Sequence, residues 1–85
     1  MELYEIRFTN EAVKDIRKLS PQLNSKLEDI LKNLIAEEPH SGKKLVGQLK
    51  GFYSIRLSYQ DRIVYSIDDE NRTIYIHRAK THYGE

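Results

Sequence analysis

The sequence of 85 residues contains no cysteine and no tryptophan. The missing cysteine excludes disulfide bonds, a thiolate nucleophile and thiolate metal ligands, and it is compatible with a reducing cytoplasm. No apolar run approaches the roughly 20 residues that span a bilayer. The first residues form neither the basic nor the apolar region of a signal peptide. We therefore expect a cytoplasmic protein that does not span a membrane.

The chain is also too short for two independent cores, since a domain of this size buries only about 60 to 65% of its unfolded surface. Its hydrophobic fraction of 39%, with six tyrosines and two phenylalanines, is sufficient for one modest core. The sequence therefore predicts a single domain over residues 1–85.

Charge is distributed unevenly along the chain, although the formal net charge is only +1. Residues 1–38 carry six lysines and arginines against eight acidic residues, whereas residues 39–85 carry eight against five. The positive charge of the second half points weakly to an anionic partner such as nucleic acid.

The first half of the sequence predicts one strand and two helices. Alternating apolar residues over positions 2–8 indicate the strand, and Thr9 follows where a helix N-cap is expected. Ser20 and Pro21 form a second start signal, with serine as the N-cap and proline at the first helical position. Apolar residues recur three to four positions apart after each start, and the second helix ends before Pro39. We expect a helical hairpin.

The second half begins with a glycine-punctuated basic stretch, residues 40–50, which is predicted to be an exposed loop. From residue 51 the apolar period changes to two, and this predicts strands near residues 52–58, 62–67 and 73–78. The fold class is then α+β in the order βααβββ, with the helical hairpin packed on one face of a mainly antiparallel, four-stranded sheet.

Strand pairing is constrained by parity, because a slip of one residue carries every apolar side chain to the wrong face of a sheet. We expect Leu57 opposite Ile63 in the first hairpin and Ile67 opposite Ile74 in the second. One face of the sheet is then apolar. The opposite, polar face collects Arg56, Arg62, Tyr75 and His77.

Arg56 and Arg62 project from adjacent strands of this polar face, and no acidic residue alternates with them. One interpretation is an ordinary solvated sheet surface, where arginine and serine are common. The other is an anion site, because guanidinium groups bind a phosphate bidentately and stabilise the negative charge of a phosphoryl-transfer transition state. The pattern leaves both interpretations open.

Three short motifs add a resemblance to a known family. They are residues 51–56 (GFYSIR), residues 61–65 (DRIVY) and the C-terminal pair His82 and Tyr83. Each motif is weak alone, but their order and spacing resemble the YoeB and RelE branches of the RelE/ParE superfamily, the toxins of type II toxin–antitoxin systems. The resemblance covers the whole chain in element order and is strongest over residues 45–83.

The resemblance implies a function and a set of site residues. Toxins of these branches enter the ribosomal A site and promote attack of the messenger's own 2′-hydroxyl on the adjacent phosphate, without a metal or cofactor. By resemblance, Arg56 and Arg62 hold and neutralise the scissile phosphate, and His82 is the general acid toward the leaving 5′-oxygen. Tyr83 stacks on or orients a base. The implied partners are a cognate antitoxin, with which the toxin forms a hetero-oligomer, the 70S ribosome and messenger RNA.

The sequence departs from the YoeB pattern at the general base. YoeB-like toxins carry a glutamate shortly before the sheet hairpin, and the matching place here is Lys43 or Lys44. RelE-like relatives use basic residues instead, so one interpretation is a lysine base with a depressed pKa. The interpretation we favour is that both lysines bind RNA backbone.

Three further residues, His77, Arg78 and Lys80, are candidates for RNA binding on or beside the last strand. His77 is also compatible with an ordinary strand surface. Parity places Arg78 on the core side, although a residue at a strand end can extend to solvent. His40 is predicted to be a loop residue, and the three histidines lack the spacing of a metal site.

Two other functions are compatible with the sequence. A ParE-like toxin shares the fold but acts on DNA gyrase without hydrolysis, and the paired arginines with a C-terminal His-Tyr argue against it. A degenerate member that only binds antitoxin or RNA is favoured by the missing glutamate.

Overall fold

The chain folds into two helices and a sheet of five strands, as in an α+β domain. The computed structural model describes residues 4–35, 37–59 and 61–81. The elements are β1 (Glu5–Phe8), α1 (Asn10–Arg17), α2 (Pro21–Ile30), β2 (Lys43–Lys44), β3 (Phe52–Arg56), β4 (Asp61–Asp68) and β5 (Thr73–Thr81). A π-helical turn continues α2 over Leu31–Ile35, and two short 3₁₀ turns flank β2. No helix in the described ranges is long and apolar enough to cross a membrane.

Both predicted helix starts are confirmed by their caps. The Thr9 side chain accepts a hydrogen bond from the backbone N–H of Ala12 at 3.2 Å. The Ser20 hydroxyl accepts one from Leu23 at 3.3 Å, with Pro21 in the first helical turn. Each cap satisfies a backbone donor that the helix itself leaves unpaired.

The strands form one sheet in the order β1-β5-β4-β3-β2, where β1 runs parallel to β5 and the other pairs are antiparallel. The predicted fold class is confirmed, with one addition. Within the stretch predicted as a loop, Lys43 and Lys44 pair with β3 as an additional edge strand. Two residues are too few to give a detectable alternation, so the sequence did not reveal this strand.

Of the two predicted hairpin registers, one is confirmed and the other was wrong. Ile67 does lie opposite Ile74, as expected. The expected pairing of Leu57 with Ile63 was wrong, because Ile55 is the residue opposite Ile63. A two-residue shift keeps every side chain on its face, so parity does not distinguish the registers. The turn decides, since the N–H groups of Leu57 and Ser58 both donate to the Asp61 carbonyl at 2.8 and 3.1 Å.

A β-bulge interrupts β5 at His77. Tyr65 pairs with Ile76, and the preceding residue of β4, Val64, pairs with Arg78. His77 is therefore an extra residue of β5 without a partner of its own in the register. The insertion reverses the parity of everything after it. Ala79 therefore lies opposite Ile63 and is fully buried, and the predicted core-side position of Arg78 was wrong.

The helical layer covers the apolar face of the sheet and encloses the core between them. Leu57, Ile63, Tyr65, Ile74 and Ile76 are fully buried on the sheet side. From the helical side and the neighbouring strand the core also includes Ala12, Leu27, Leu31, Ile35 and Tyr53.

Tyr65 links this core to the segment that carries β2. Its hydroxyl donates to the Pro39 carbonyl at 2.8 Å and accepts from the Gly42 N–H at 3.2 Å. Burial raises the pKa of Tyr65 to about 12. These bonds fix the short turn before β2, and they thereby set the position of Lys43.

His40 lies in this same turn, and its side chain is held by Tyr53 and Asp69. Its Nδ1 is 2.9 Å from the Tyr53 hydroxyl, and its Nε2 is 3.1 Å from Asp69 Oδ1. The Tyr4 hydroxyl also donates to Asp69 at 2.6 Å, and that bond, followed by the one with His40, lowers the pKa of the Asp69 carboxyl. The network ties the turn to the β4–β5 connection.

Candidate functional site

The sheet face turned away from the helices, called the outer face here, carries the predicted polar residues. Cross-strand partners share a face, so the register determines its members. They include Glu5 and Arg7 on β1, Lys43 on β2, Phe52, Ser54 and Arg56 on β3, Arg62, Val64, Ser66 and Asp68 on β4, and Thr73, Tyr75 and His77 on β5.

Arg56 lies directly across from Arg62 in this register. Residues opposite each other in an antiparallel pair have Cβ atoms about 5 Å apart, and like charges in that position destabilise a sheet. Both side chains are exposed, and in the described ranges no carboxylate forms an ion pair with either. Two uncompensated guanidinium groups so close together have the chemistry to bind a phosphate or another compact anion.

Asp61 is the acidic residue next to Arg62, but it does not neutralise the pair. Its carboxylate accepts a hydrogen bond from the Ser58 hydroxyl at 2.9 Å, and Asp61 is only 8% exposed. Strand alternation puts Asp61 on the opposite face from Arg62. Asp61 fixes the β3–β4 turn, and the arginine pair keeps its positive charge.

Lys43 and Lys44, the two positions that match the missing glutamate, lie on opposite faces of β2. Lys43 pairs with Ser54 and therefore shares the outer face with Arg56. Lys44 pairs with Tyr53, whose side chain belongs to the apolar face. Only Lys43 of these two extends the positive charge of the arginine pair.

Ser54 lies between Lys43 and Val64 in register, at the centre of the outer face. It is 4% exposed, and in the described part of the chain its hydroxyl has no hydrogen-bond partner. A buried hydroxyl without a partner costs free energy, so its presence is not explained by folding stability.

Arg78 is the one candidate whose guanidinium is held by the protein itself. Its Nε donates to Asp15 Oδ2 at 2.8 Å, and its Nη1 lies 3.9 Å from Glu11. The same Asp15 oxygen accepts the backbone N–H of Ala79 at 3.0 Å. This geometry joins α1 to the end of β5, and the Arg78 side chain remains 26% exposed.

Three candidates near the C-terminus are described in part or not at all. Lys80 pairs in backbone register with Arg62. His82 and Tyr83, the expected general acid and base-orienting residue, lie outside the described residues.

An aromatic cluster occupies the part of the outer face next to the cations. We call Phe52, Tyr75 and His77 the aromatic platform. The rings of Phe52 and His77 are stacked, with centroids 4.7 Å apart and planes 18° from parallel. His77 Nε2 lies 2.8 Å from the Ser66 hydroxyl, and burial lowers the pKa of His77. Tyr75, which is 38% exposed, pairs in register with Ser66.

Phe52 was not predicted to have a role, although it stands within the first motif. Its parity with Ser54 and Arg56 was the available signal. The bulge that brings His77 over Ser66 and against Phe52 was not visible in the sequence, because inserted residues leave the apolar pattern of the flanking segments intact.

Comparison with known proteins agrees with this architecture. A family model described as the ParE toxin of the type II toxin–antitoxin system, parDE, matches residues 6–81. Toxin RelG of Mycobacterium tuberculosis is 36% identical over 77 residues, which cover 89% of this chain and 87% of that protein. The chain therefore belongs to the RelE/ParE superfamily of toxins of type II toxin–antitoxin systems.

Solved structures show the same fold. The toxin–antitoxin complex RelBE2 of Mycobacterium tuberculosis contains a chain that superposes with a TM-score of 0.84 at 33% identity, covering 94% of this chain and 99% of that one. The YoeB dimer of Staphylococcus aureus gives a TM-score of 0.76 at 30% identity, with coverages of 94% and 98%. Similarity thus extends to relatives of both the RelE and the YoeB type.

Proposed function

We propose that this toxin is a ribosome-dependent endoribonuclease that cleaves messenger RNA in the ribosomal A site and so inhibits translation. The observation that carries the proposal is the exposed pair of Arg56 and Arg62, which lie opposite each other with no acidic partner in the described ranges. A phosphate bound between them offsets their mutual repulsion. Similarity to RelE-type and YoeB-type proteins supports the same activity.

The proposed reaction is attack of the messenger's 2′-oxygen on the adjacent phosphorus, with departure of the 5′-oxygen. The bond from the 2′-oxygen to phosphorus forms as the bond to the 5′-oxygen breaks, and negative charge grows on the non-bridging oxygens. Arg56 and Arg62 stabilise that charge. His82 donates a proton to the leaving oxygen, and Tyr83 orients a base. This chemistry requires no metal or cofactor.

Lys43 takes the place of the glutamate base in this proposal. It shares the outer face with Arg56, so its ammonium group increases the positive charge around the phosphate. We assign Lys43 to the RNA backbone. The 2′-hydroxyl proton then passes to solvent or to a ribosomal group rather than to a carboxylate of the toxin.

The remaining candidates are assigned by their positions in the strand register and by their contacts. Lys44 and Lys80 are assigned to the flanking RNA backbone in this proposal, and His77 to an RNA nucleotide that flanks the scissile phosphate. Arg78 is assigned to holding the end of β5, because its guanidinium is bound to Asp15 and lies near Glu11. The toxin acts in the cytoplasm on the 70S ribosome and its messenger, and a cognate antitoxin binds it in a hetero-oligomer.

Primer extension on a defined messenger, with and without 70S ribosomes, tests the proposal. The intact chain is compared with Arg56→Ala/Arg62→Ala, with His82→Ala, and with the control Arg17→Ala/Lys32→Ala. Arg17 and Lys32 are exposed on the helical layer, so the control removes the same charge from another surface. Cuts that require ribosomes, persist in the control and disappear in the arginine variant support the proposal. Absence of cuts from the folded intact chain contradicts it.

The match to a family described as ParE toxin favours a second candidate, a toxin that acts on DNA gyrase. Its test is a plasmid supercoiling assay with purified gyrase. Inhibition of supercoiling, or trapped DNA breaks, by a chain that does not cut ribosome-bound messenger would establish this candidate instead.

A further inference from the structure

The aromatic platform differs in character from the cationic part of the outer face. Phe52 and His77 stack on each other, and Tyr75 lies on the same face with part of its surface in solvent. Stacked rings on neighbouring strands stabilise a sheet, and the ring surface that they leave exposed is available to a ligand. The exposed ring surface of the platform is therefore a candidate contact for a bound molecule.

The histidine ring of the platform is fixed rather than free. Stacking on Phe52 sets its plane, and the bond between Nε2 and the Ser66 hydroxyl sets its rotation about that stack. In the described ranges its Nδ1 has no hydrogen-bond partner. A ring fixed in this way offers both an aromatic surface and one unused nitrogen to a bound molecule.

The platform and the arginine pair are aligned along the same strands. Phe52 precedes Arg56 by four residues on β3, and Ser66 follows Arg62 by four on β4. At about 3.3 Å per residue, the aromatic and cationic rows are separated by roughly 13 Å. This separation suits a base that flanks the bound phosphate along an extended single strand, and is too long for the nucleoside directly attached to it.

We propose that Phe52, Tyr75 and His77 form a base-stacking subsite. It binds a nucleotide of single-stranded RNA that flanks the phosphate bound at Arg56 and Arg62. The inference rests on the proposed function and adds where the substrate is recognised. Aromatic rings next to a cationic groove are the combination that binds single strands, because every base has a surface that stacks and every linkage carries a negative charge. This charge complementarity favours RNA over a protein ligand.

A thermodynamic cycle tests the subsite. A short RNA made non-cleavable by 2′-O-methyl groups is titrated against the intact chain by fluorescence anisotropy, and then each base in turn is replaced by an abasic nucleotide. The protein variant is Tyr75→Leu, which keeps an apolar side chain but removes the flat ring. The control is Tyr59→Leu, since Tyr59 is 91% exposed in the β3–β4 turn.

The expected result is a loss of affinity of about 5-fold to 160-fold in Tyr75→Leu, the range for one stacked base that loses its aromatic partner. One abasic position should cost the intact chain and Tyr59→Leu the same factor, while costing Tyr75→Leu little. Phe52→Leu should behave like Tyr75→Leu, and circular dichroism verifies that each variant is folded.

Equal abasic penalties in all variants, with binding that still depends on Arg56, would overturn the subsite while leaving the proposed function intact. That result would assign the platform to a protein contact. An RNA that the intact chain does not bind at all overturns the subsite too. In that case ribosome-dependent cleavage, measured separately, decides whether the proposed function also fails.

Discussion

Arg56 faces Arg62 across the antiparallel pair of β3 and β4, and in the described ranges neither forms an ion pair. Salt should therefore act strongly on RNA binding through these two residues. For single strands, the logarithm of the association constant falls by about 0.7 per neutralised phosphate for each tenfold rise in salt concentration. Because both guanidinium groups bind one phosphate, we expect Arg56→Ala and Arg62→Ala each to reduce this slope, by about 0.7 in total.

Anisotropy titrations of a non-cleavable RNA at several potassium chloride concentrations measure the slope. Arg17→Ala, on α1, is the control and should leave it unchanged. An unchanged slope in both outer-face variants would show that their guanidinium groups do not contact the RNA backbone.

Asp15 joins α1 to the end of β5, and its loss should destabilise the fold. It is 8% exposed and accepts hydrogen bonds from Arg78 and from the Ala79 N–H. Removing one partner of a fully buried ion pair costs about 3 to 5 kcal/mol. Because Arg78 remains partly exposed, we expect Asp15→Ala to lower the free energy of unfolding by about 2 to 3 kcal/mol.

Urea unfolding followed by circular dichroism measures this change. Asp29→Ala makes the same substitution at an exposed position of α2 and should change stability by less than about 0.5 kcal/mol. Equal stabilities of the two variants would contradict a role for Asp15 in joining helix and strand.

Tyr65 should give stability a distinctive dependence on alkaline pH. Its pKa is raised by burial from the ordinary value of 10.0 to about 12 in the folded chain. The protonated form is therefore favoured by folding, so its contribution is complete below pH 10.0 and is lost as the pH rises through about 12. Tyr65→Phe also leaves the Pro39 carbonyl and the Gly42 N–H unpaired, which should cost about 1 to 3 kcal/mol at neutral pH.

Urea unfolding of the intact chain and of Tyr65→Phe from pH 8 to pH 12 tests both statements. The stability difference should be largest at the lower end and should shrink above pH 10. A difference that grows with pH would reverse the assigned sign.

Ser54 and Ser66 should respond oppositely to alanine. The Ser54 hydroxyl is buried without a partner in the described ranges, whereas the Ser66 hydroxyl lies within hydrogen-bond distance of His77. Ser54→Ala removes an unsatisfied group and should raise the free energy of unfolding by about 1 kcal/mol. Ser66→Ala should lower it. Thermal unfolding of the two variants gives the comparison, and a destabilised Ser54→Ala would reveal a stabilising contact of that hydroxyl.

Local signals in the sequence predicted much of this fold. Thr9 and Ser20 begin their helices as expected, because capping is a contact between residues three positions apart. The order of the predicted elements along the chain, the pairing of β3 with β4 and of β4 with β5, and the face of Arg56 and Arg62 also followed from periodicity. Helix capping depends on residues close along the chain, and the face of a strand residue depends on the alternation of apolar residues. Both can be read from the sequence alone.

The features that were missed depend on contacts distant in sequence. The β3–β4 register shifted by two residues because the turn, rather than the apolar pattern, determines it. The bulge at His77 reversed the parity of Arg78 without leaving any trace in composition. His40 joins Tyr53 and Asp69, which stand 13 and 29 residues away.

The carboxylate of Asp15 also affects which other chains can pair with this sheet. In the register of the described strands, β1 covers β5 only as far as Ile76, so the edge beyond it is open to an added strand. Asp15 occupies the Ala79 N–H that such a strand would need. At the far edge, β2 offers only two residues for pairing. The end of β5 and the β2 edge are thus poor templates for strand addition, so edge-to-edge pairing of free toxin molecules is disfavoured at these two places.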